Sequence, residues 1–251
     1  MPGVIRTYLL PQLVEPDALV GGYAIIIDQL RASTTMCAAL AAGAAGVMPC
    51  LTEDDARRVK QAAAPGTCLT GGERAGVMIP DFDLDNSPAA YTREVVAGKT
   101  IAFTTTNGTR AAVLCKDGET MLVGCLGNLS ALAARIGADA RPVHLICAGT
   151  RTRVSQEDVG AAGAIAERLV ALGRPTGLAD ARPDDDSTLL ALNLWRTFSA
   201  RSGGVLEMLT GSRGGRNLIR EGLRSDIELC ARIDGYPVVP EFDAARGFVL
   251  K

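Results

Sequence analysis

The run YAIIIDQLRASTTMCAALAA, residues 23–42, decides the fold. Tyr23–Ile27 is five apolar residues without a break, a length and pattern that suit a strand buried on both faces. At Asp28 the character changes. Asp28-Gln29-Leu30-Arg31 forms a turn, Ser33-Thr34-Thr35 offers the hydroxyls that open helices, and residues 33–42 continue as an alanine-rich helix. A buried strand feeding a helix is the repeating unit of an α/β protein.

The same alternation runs outward in both directions. Val4–Leu10, Ala45–Cys50, Thr67–Thr70, Thr100–Thr105, Met121–Gly124 and Val143–Cys147 read as further strands. Residues 52–64, 88–96, 107–116, 128–137 and 155–172 read as helices. Thr52-x-x-Asp55 and Ser155-x-x-Asp158 are capping boxes in their acid-ended form, and Pro88 is a first-turn proline. The pattern predicts a three-layer α/β/α sandwich with a largely parallel sheet. The last third differs: residues 185–209, 212–222 and 224–232 are mainly helical, with short strands expected near 236–240 and 247–250. The break at Arg182-Pro183-Asp184-Asp185-Asp186 is too short for a linker. Residues 1–251 therefore read as a single domain with a helical C-terminal portion at about 185–232.

Composition narrows the function. A chain of 251 residues, 47% hydrophobic, can bury a core that needs no staples. A net charge of -2 leaves no basic stripe for a nucleic-acid backbone, and 4% aromatic residues give no stacking platform. No apolar run approaches the roughly 20 residues of a membrane span. The opening MPGVIRTYLLPQ lacks the apolar region and cleavage site of a signal peptide. The expectation is a soluble cytoplasmic protein with no nucleic-acid or membrane partner. Cys37, Cys50, Cys68, Cys115, Cys125, Cys147 and Cys230 are odd in number and form no CxxC pair, so they read as reduced core residues. The single histidine, His144, lies inside an apolar strand and reads as a satisfied core residue. Histidine-based metal sites and most Ser-His-Asp triads are thereby excluded.

What remains is carboxylates, hydroxyls and arginines at strand ends, where ligands bind in open α/β sheets. Asp28 ends a buried strand, and Arg31 with Ser33, Thr34 and Thr35 can form an anion cradle at a helix N-terminus. The alternative there is an aspartate and a hydroxyl cap that only finish the turn. Thr104-Thr105-Thr106-Asn107-Gly108-Thr109-Arg110 repeats the design, with Gly108 allowing close backbone approach and Arg110 able to clamp an oxyanion. Two such turns suit a substrate with two anionic ends. Gly71-Gly72-Glu73-Arg74-Ala75-Gly76 encloses an acid–base pair, which is either packed at a site or a solvated surface turn. Asp28, Glu73, Glu157 and Asp158 are hard oxygen ligands, so a bound metal would be Mg²⁺, with Mn²⁺ as a substitute. Cys147 and Arg153 satisfy C-x5-R between a strand and a helix, the layout of a cysteine phosphatase, although the loop holds one glycine only. A P-loop-like end at Ala97-Gly98-Lys99-Thr100 lacks its first glycine, and a calcium-loop-like start at Asp81-Phe82-Asp83-Leu84-Asp85 lacks its glycine and final glutamate.

These residues resemble a known family, the magnesium-dependent 2-phosphosulfolactate phosphatases (the ComB family) of coenzyme M biosynthesis. The resemblance rests on Asp28-x-Leu30-Arg31-Ala32-Ser33-Thr34-Thr35, Gly72-Glu73-Arg74-x-Gly76 and Phe82-Asp83-Leu84-x-Asn86-Ser87-Pro88. It continues through Thr105-Thr106-Asn107-Gly108-Thr109-Arg110-Ala111, Cys147-Ala148-Gly149-Thr150 and Ser155-x-Glu157-Asp158. Near the end Gly215-Arg216-Asn217-Leu218, Gly222-Leu223-x-x-Asp226-Ile227 and Cys230 also fit. Thr152-Arg153-Val154 departs from the pattern, where a glycine and an aromatic are expected.

The resemblance implies hydrolysis of the phosphate monoester of a small 2-hydroxy acid, 2-phosphosulfolactate giving 3-sulfolactate and phosphate, with Mg²⁺ and in a homodimer. Mg²⁺ is then expected on Asp28 and some of Glu73, Glu157 and Asp158. The phosphoryl group is expected against Arg31, Ser33, Thr34 and Thr35. Arg74, Thr105, Thr106, Asn107, Gly108, Thr109 and Arg110 are expected around the substrate's other anionic end, with the two cradles interchangeable. Metal-bound water, Asp28 and Cys147 all stay open as the nucleophile. Related phosphatases of phospholactate or phosphoglycolate, and a non-catalytic module for small organic phosphates or sulfonates, are the competing readings.

Overall fold

A computed structural model describes residues 4–15, 17–107, 120–137, 139–173 and 186–251. The strands are β1 (Ile5–Tyr8), β2 (Tyr23–Ile27), β3 (Gly46–Pro49), β4 (Cys68–Arg74), β5 (Val77–Met78), β6 (Thr100–Thr104), β7 (Thr120–Val123), β8 (Val143–Cys147), β9 (Glu241–Asp243) and β10 (Gly247–Val249). The described helices are α1 (Ala32–Ala41), α2 (Glu53–Ala62), α3 (Arg93–Val96), α4 (Leu129–Ile136), α5 (Gln156–Ala171), α6 (Asp186–Ser199), α7 (Gly204–Gly211), α8 (Arg213–Arg220) and α9 (Arg224–Cys230). They form the expected α/β sandwich around one mixed, mostly parallel sheet.

Alternation along β2 shows why the sheet is central. Ile25 and Ile27 pack with Leu145, Ile165, Trp195 and Met208 on one face. Ala24 and Ile26 pack with Met36, Leu40 and Ile146 on the other. Every residue of β2 and β8 is buried, which is what an unbroken apolar run encodes when helices cover both faces.

The strand order is β1-β8-β2-β7-β9-β10-β3-β6-β4-β5. β1, β8, β2 and β7 are mutually parallel, as are β3, β6 and β4. The C-terminal hairpin β9–β10 sits between these groups and is antiparallel to β7 on one side and β3 on the other. The two parallel groups therefore run in opposite senses across the hairpin. Neighbouring strands rotate by roughly 20–25°, so the five steps from β2 to β6 accumulate about 100–125°. That twist offsets much of the reversal, and the carboxyl ends of β2, β4, β6 and β8 reach one cavity.

Several boundaries differ from the sequence reading. The first strand stops at Tyr8, and Pro11 opens a 3-10 turn. Residues 88–96 split into a 3-10 turn that Pro88 starts and the single turn α3. The expected helix 185–209 is broken between α6 and α7 at Gly203, whose φ of 71° lies in the left-handed region. The strand expected near 236–240 forms instead at 241–243. Thr52 and Asp55 make the predicted capping box, whereas Ser155 makes no side-chain cap: its Oγ pairs with Thr150 Oγ1 at 2.7 Å, and the Asp158 carboxylate is engaged elsewhere. The helix expected at 107–116 and Cys115 lie outside the described residues. The six described cysteines are all free and buried, as the sequence predicts.

Candidate active site

A cavity of about 520 Å³ opens where those strand ends meet. Asp28 follows β2, Glu73 lies near the end of β4, Thr106 follows β6 and Thr150 follows β8. Opposite them stands α8, which contributes Arg213, Gly214, Arg216, Asn217 and Arg220. The strand-end side thus presents Asp28 and Glu73 together with Arg31 and Arg151, and the α8 side presents three arginines with Glu221 just beyond them. Glu157 and Asp158 are buried near Asp28 but do not line the cavity.

On the acidic side, Asp28 is buried, and its carboxyl is pushed up to about 7 by that burial and by the charges of Glu73 and Glu157. Asp158 accepts from the backbone N–H of Gln29 and of Gly149, both at 2.9 Å, so it ties the end of β2 to the end of β8. Burial and the neighbouring Asp28 and Glu157 raise it well above the usual carboxylate range. Glu73 accepts from Gly76 N–H at 2.6 Å and Thr106 N–H at 2.8 Å, joining the β4–β5 turn to the loop after β6. The stretch Gly71–Gly76 is accordingly no solvated surface turn; it is a strand end with a buried carboxylate. Glu157 is 2% exposed and raised by burial, with Ser212 and Gly214 at the start of α8 opposing that shift. Its Oε2 is buried with no hydrogen-bond partner. An ideal Cβ at Gly214 would overlap Glu157 Oε1 and stand 3.1 Å from Cδ, so only glycine lets the carboxylate approach this turn.

Among the described residues no three carboxylates converge as a closed metal cage. The donor set nevertheless suits Mg²⁺, which characteristically takes one or two carboxylates and fills its remaining positions with water and phosphate oxygens. Asp28 and the unpartnered Oε2 of Glu157 fit that pattern better than Glu73 and Asp158, whose oxygens already accept backbone N–H groups.

Arg31 lines the cavity but is held. It is 2% exposed, donates from Nη1 to Asp226 Oδ2 at 2.6 Å and from Nη2 to the carbonyl of Gly76 at 3.0 Å. Asp226 accepts a second bond from Ser87 Oγ at 2.7 Å. The hydroxyls expected to cradle phosphate are also committed. Ser33 donates to Ile26 O at 3.3 Å, Thr34 to Gln29 O at 3.1 Å and Thr35 to Asn86 O at 2.9 Å, and all three residues are fully buried away from the cavity. Ser33 and Thr34 finish the strand-to-helix turn, the alternative the sequence left open, and Thr35 ties the start of α1 to the loop at Asn86.

The second loop divides. Thr106 and Asn107 line the cavity, Asn107 Oδ1 accepting from Arg151 N–H at 3.1 Å. Thr105 is buried, and Gly108, Thr109 and Arg110 lie outside the described residues. Arg74 turns away: it donates to Glu73 O and Thr104 Oγ1 and pairs with Glu53 at 3.3 Å. Cys147 packs in the core, its thiol pushed up by burial and by Asp158 and Glu157. It has neither the access nor the thiolate that a nucleophile needs. His144 is buried as expected, yet only its Nδ1 finds a partner, Tyr8 Oη at 3.2 Å, and Nε2 has none.

Two contributors escaped the sequence reading. One is the face of α8, although Arg213-x-x-Arg216-x-x-x-Arg220 is the i, i+3, i+7 spacing of one helical side. The other is Asn86, which lines the cavity with a buried, unpartnered Oδ1 and has no local signature.

A family model described as 2-phosphosulpholactate phosphatase matches residues 8–245. A probable 2-phosphosulfolactate phosphatase of Symbiobacterium thermophilum is 36% identical over 235 residues, 94% of this chain and 97% of the relative. Relatives of the same description from Caldanaerobacter subterraneus and a Synechococcus strain are 35% and 38% identical, covering 94% and 92% of this chain and 94% and 91% of their own.

Proposed function

The chain belongs to the 2-phosphosulpholactate phosphatase family, and from that membership we propose that it releases phosphate from 2-phosphosulfolactate, with Mg²⁺, leaving 3-sulfolactate. As a member it is an enzyme, a phosphoric monoester hydrolase. The observation that carries the finer reading is one cavity in which the buried carboxylates Asp28 and Glu73 at the strand ends face three arginines of α8.

A phosphoryl group placed directly against Asp28 and Glu157 would meet like charge in a poorly solvated site. Asp28 and Glu157 would hold Mg²⁺, which when bound would supply positive charge against the non-bridging oxygens where phosphoryl-transfer charge accumulates. The chain's own groups set the geometry. Asp158 fixes the backbone beside Asp28 through Gln29 N–H. Glu73 fixes Thr106 and Gly76 at the rim. Arg31, clamped between Asp226 and Gly76 O, holds the β4–β5 turn against the start of α1. Such preorganisation means that little reorganisation accompanies the charge shift at phosphorus. The burial of Cys147 supports an oxygen nucleophile, water or Asp28, over a thiolate.

The test is phosphate release from 2-phosphosulfolactate, phospholactate and phosphoglycolate, with Mg²⁺, after chelation, and after Mg²⁺ is restored. Release that chelation abolishes and Mg²⁺ restores is expected, greatest for 2-phosphosulfolactate. Full activity after chelation would remove the metal from the proposal, and no release from any of the three would remove the substrate class.

A further inference from the structure

The substrate of this reading carries a carboxylate and a sulfonate besides its phosphoryl group, and the structure offers a receptor the strand-end loops do not account for. Arg213, Arg216 and Arg220 occupy one side of α8 and all line the cavity. Among the described residues none of the three is within ion-pair distance of a carboxylate. Arg216 donates to Gly211 O, and Arg220 donates to Asn217 Oδ1 at 2.7 Å. Each bond steadies a guanidinium while leaving further N–H donors open. Arg31, by contrast, has its charge paired with the buried carboxylate of Asp226 at 2.6 Å.

We propose that the arginine side of α8, chiefly Arg213 and Arg216, is the sulfonate receptor and sets the preference for a sulfonated substrate over its unsulfonated counterpart. The inference rests on the reading of 2-phosphosulfolactate as substrate and deepens it. Its physical basis is charge. The carboxylate side of the cavity takes an anion only with a cation interposed, whereas the three arginines of α8, none in an ion pair among the described residues although Arg216 acts at longer range on Glu157, take one directly. A sulfonate presents three equivalent oxygens and no proton at neutral pH, so it suits a spread of N–H donors from successive helical turns better than one fork would. Gly214 and Gly215 lie between Arg213 and Arg216 and add no side chain between them.

The experiment compares 2-phosphosulfolactate with 2-phospholactate, which differ only by the sulfonate, for the Mg²⁺-supplied wild type, Arg213→Gln and Arg216→Gln. Glutamine keeps helix propensity and a polar amide while removing the charge. Each substitution is expected to lower the ratio of kcat/KM for the two substrates by roughly tenfold to a hundredfold, the value of a charged hydrogen bond. Arg224→Gln, on α9 and paired with Glu228 outside the cavity, is expected to leave the ratio unchanged. Equal losses for both substrates, or an unchanged ratio in both α8 variants, would overturn the proposal. Calorimetric binding of 3-sulfolactate against lactate separates this inference from the reading beneath it. Arginine-dependent preference for sulfolactate in a protein that releases no phosphate sinks the activity and keeps the receptor. Hydrolysis with no such preference keeps the activity and sinks the receptor.

Discussion

Asp226→Asn is the sharpest test of how the site is held. The substitution keeps volume and one acceptor but takes away the carboxylate that meets Arg31 at 2.6 Å and Ser87 Oγ at 2.7 Å. Arg31 and Asp226 have side chains only 2% and 4% exposed, so water cannot replace what is lost. Removing one member of a buried pair leaves an uncompensated charge and costs about 3–5 kcal/mol. The retained amide oxygen places this case near the lower end, about 3 kcal/mol. With an m-value near 3 kcal/mol/M in urea, the unfolding midpoint falls by about 1 M, leaving a folded protein for measurement if total stability is in the usual range of about 5–15 kcal/mol. Arg31→Met and the double variant complete a cycle. Because the second change removes the stranded charge, the two losses should fall short of additivity by about 2 kcal/mol or more. A single-variant loss below about 1 kcal/mol, or additive losses, would refute the view of Arg31 as a buried clamp and return it to the pool of free phosphate-binding cations.

Gly214→Ala should lower activity by displacing Glu157, although alanine in a helix ordinarily gains about 0.5–1 kcal/mol over glycine; Gly211→Ala, with nothing within 4 Å, is the control, and equal activity in both variants counts against the role of Glu157. Cys147→Ala should keep kcat within about twofold while losing about 1 kcal/mol of stability from the vacated core volume, and loss of turnover in a folded variant would restore the thiolate reading. Burial holds His144 down at about 4, below its ordinary 6.5, so the unfolded chain takes up a proton first as pH falls. Stability from this residue is full above about pH 6.5 and drains away toward pH 4, amounting to about 2 kcal/mol between pH 7 and pH 5. Urea unfolding at the two pH values should show that difference between wild type and His144→Gln, and identical pH slopes would exclude it.

The layers were legible because the strands are unbroken apolar runs. Tyr23–Ile27 and Val143–Cys147 match β2 and β8 residue for residue. The β4–β5 turn was less so, since Gly71-Gly72 suggests a loop while the structure continues β4 through both to Arg74. At the site, residue type and strand-end position pointed to Asp28 and Glu73, which line the cavity, and to Glu157 and Asp158, which are buried near Asp28 without lining it. The same logic could not tell a hydroxyl facing a ligand from one facing a carbonyl. Ser33 and Thr34 satisfy their own turn and Thr35 a carbonyl at Asn86, a distinction that depends on side-chain direction and not on spacing. Asp158 shows the converse: a capping-box position locally, it reaches across to Gln29, 129 residues away. Asn86 and the face of α8 reach the cavity only through tertiary packing; the arginine spacing marks one side of a helix but not what that side faces.

The hairpin β9–β10 follows every other strand in the sequence yet lies in the middle of the sheet. During synthesis the strands flanking it, β7 and β3, leave the ribosome with nothing to pair on their facing edges. The two half-sheets can be joined only by contacts of long sequence separation, Leu122 with Glu241 and Val47 with Phe248. Such late, non-local closure raises contact order and keeps open edges exposed to other chains while folding waits. A chain cut short before residue 241 would keep most of its helices and its cavity-lining residues. It would present two sticky strand edges in place of one continuous sheet, and aggregation should be its dominant fate.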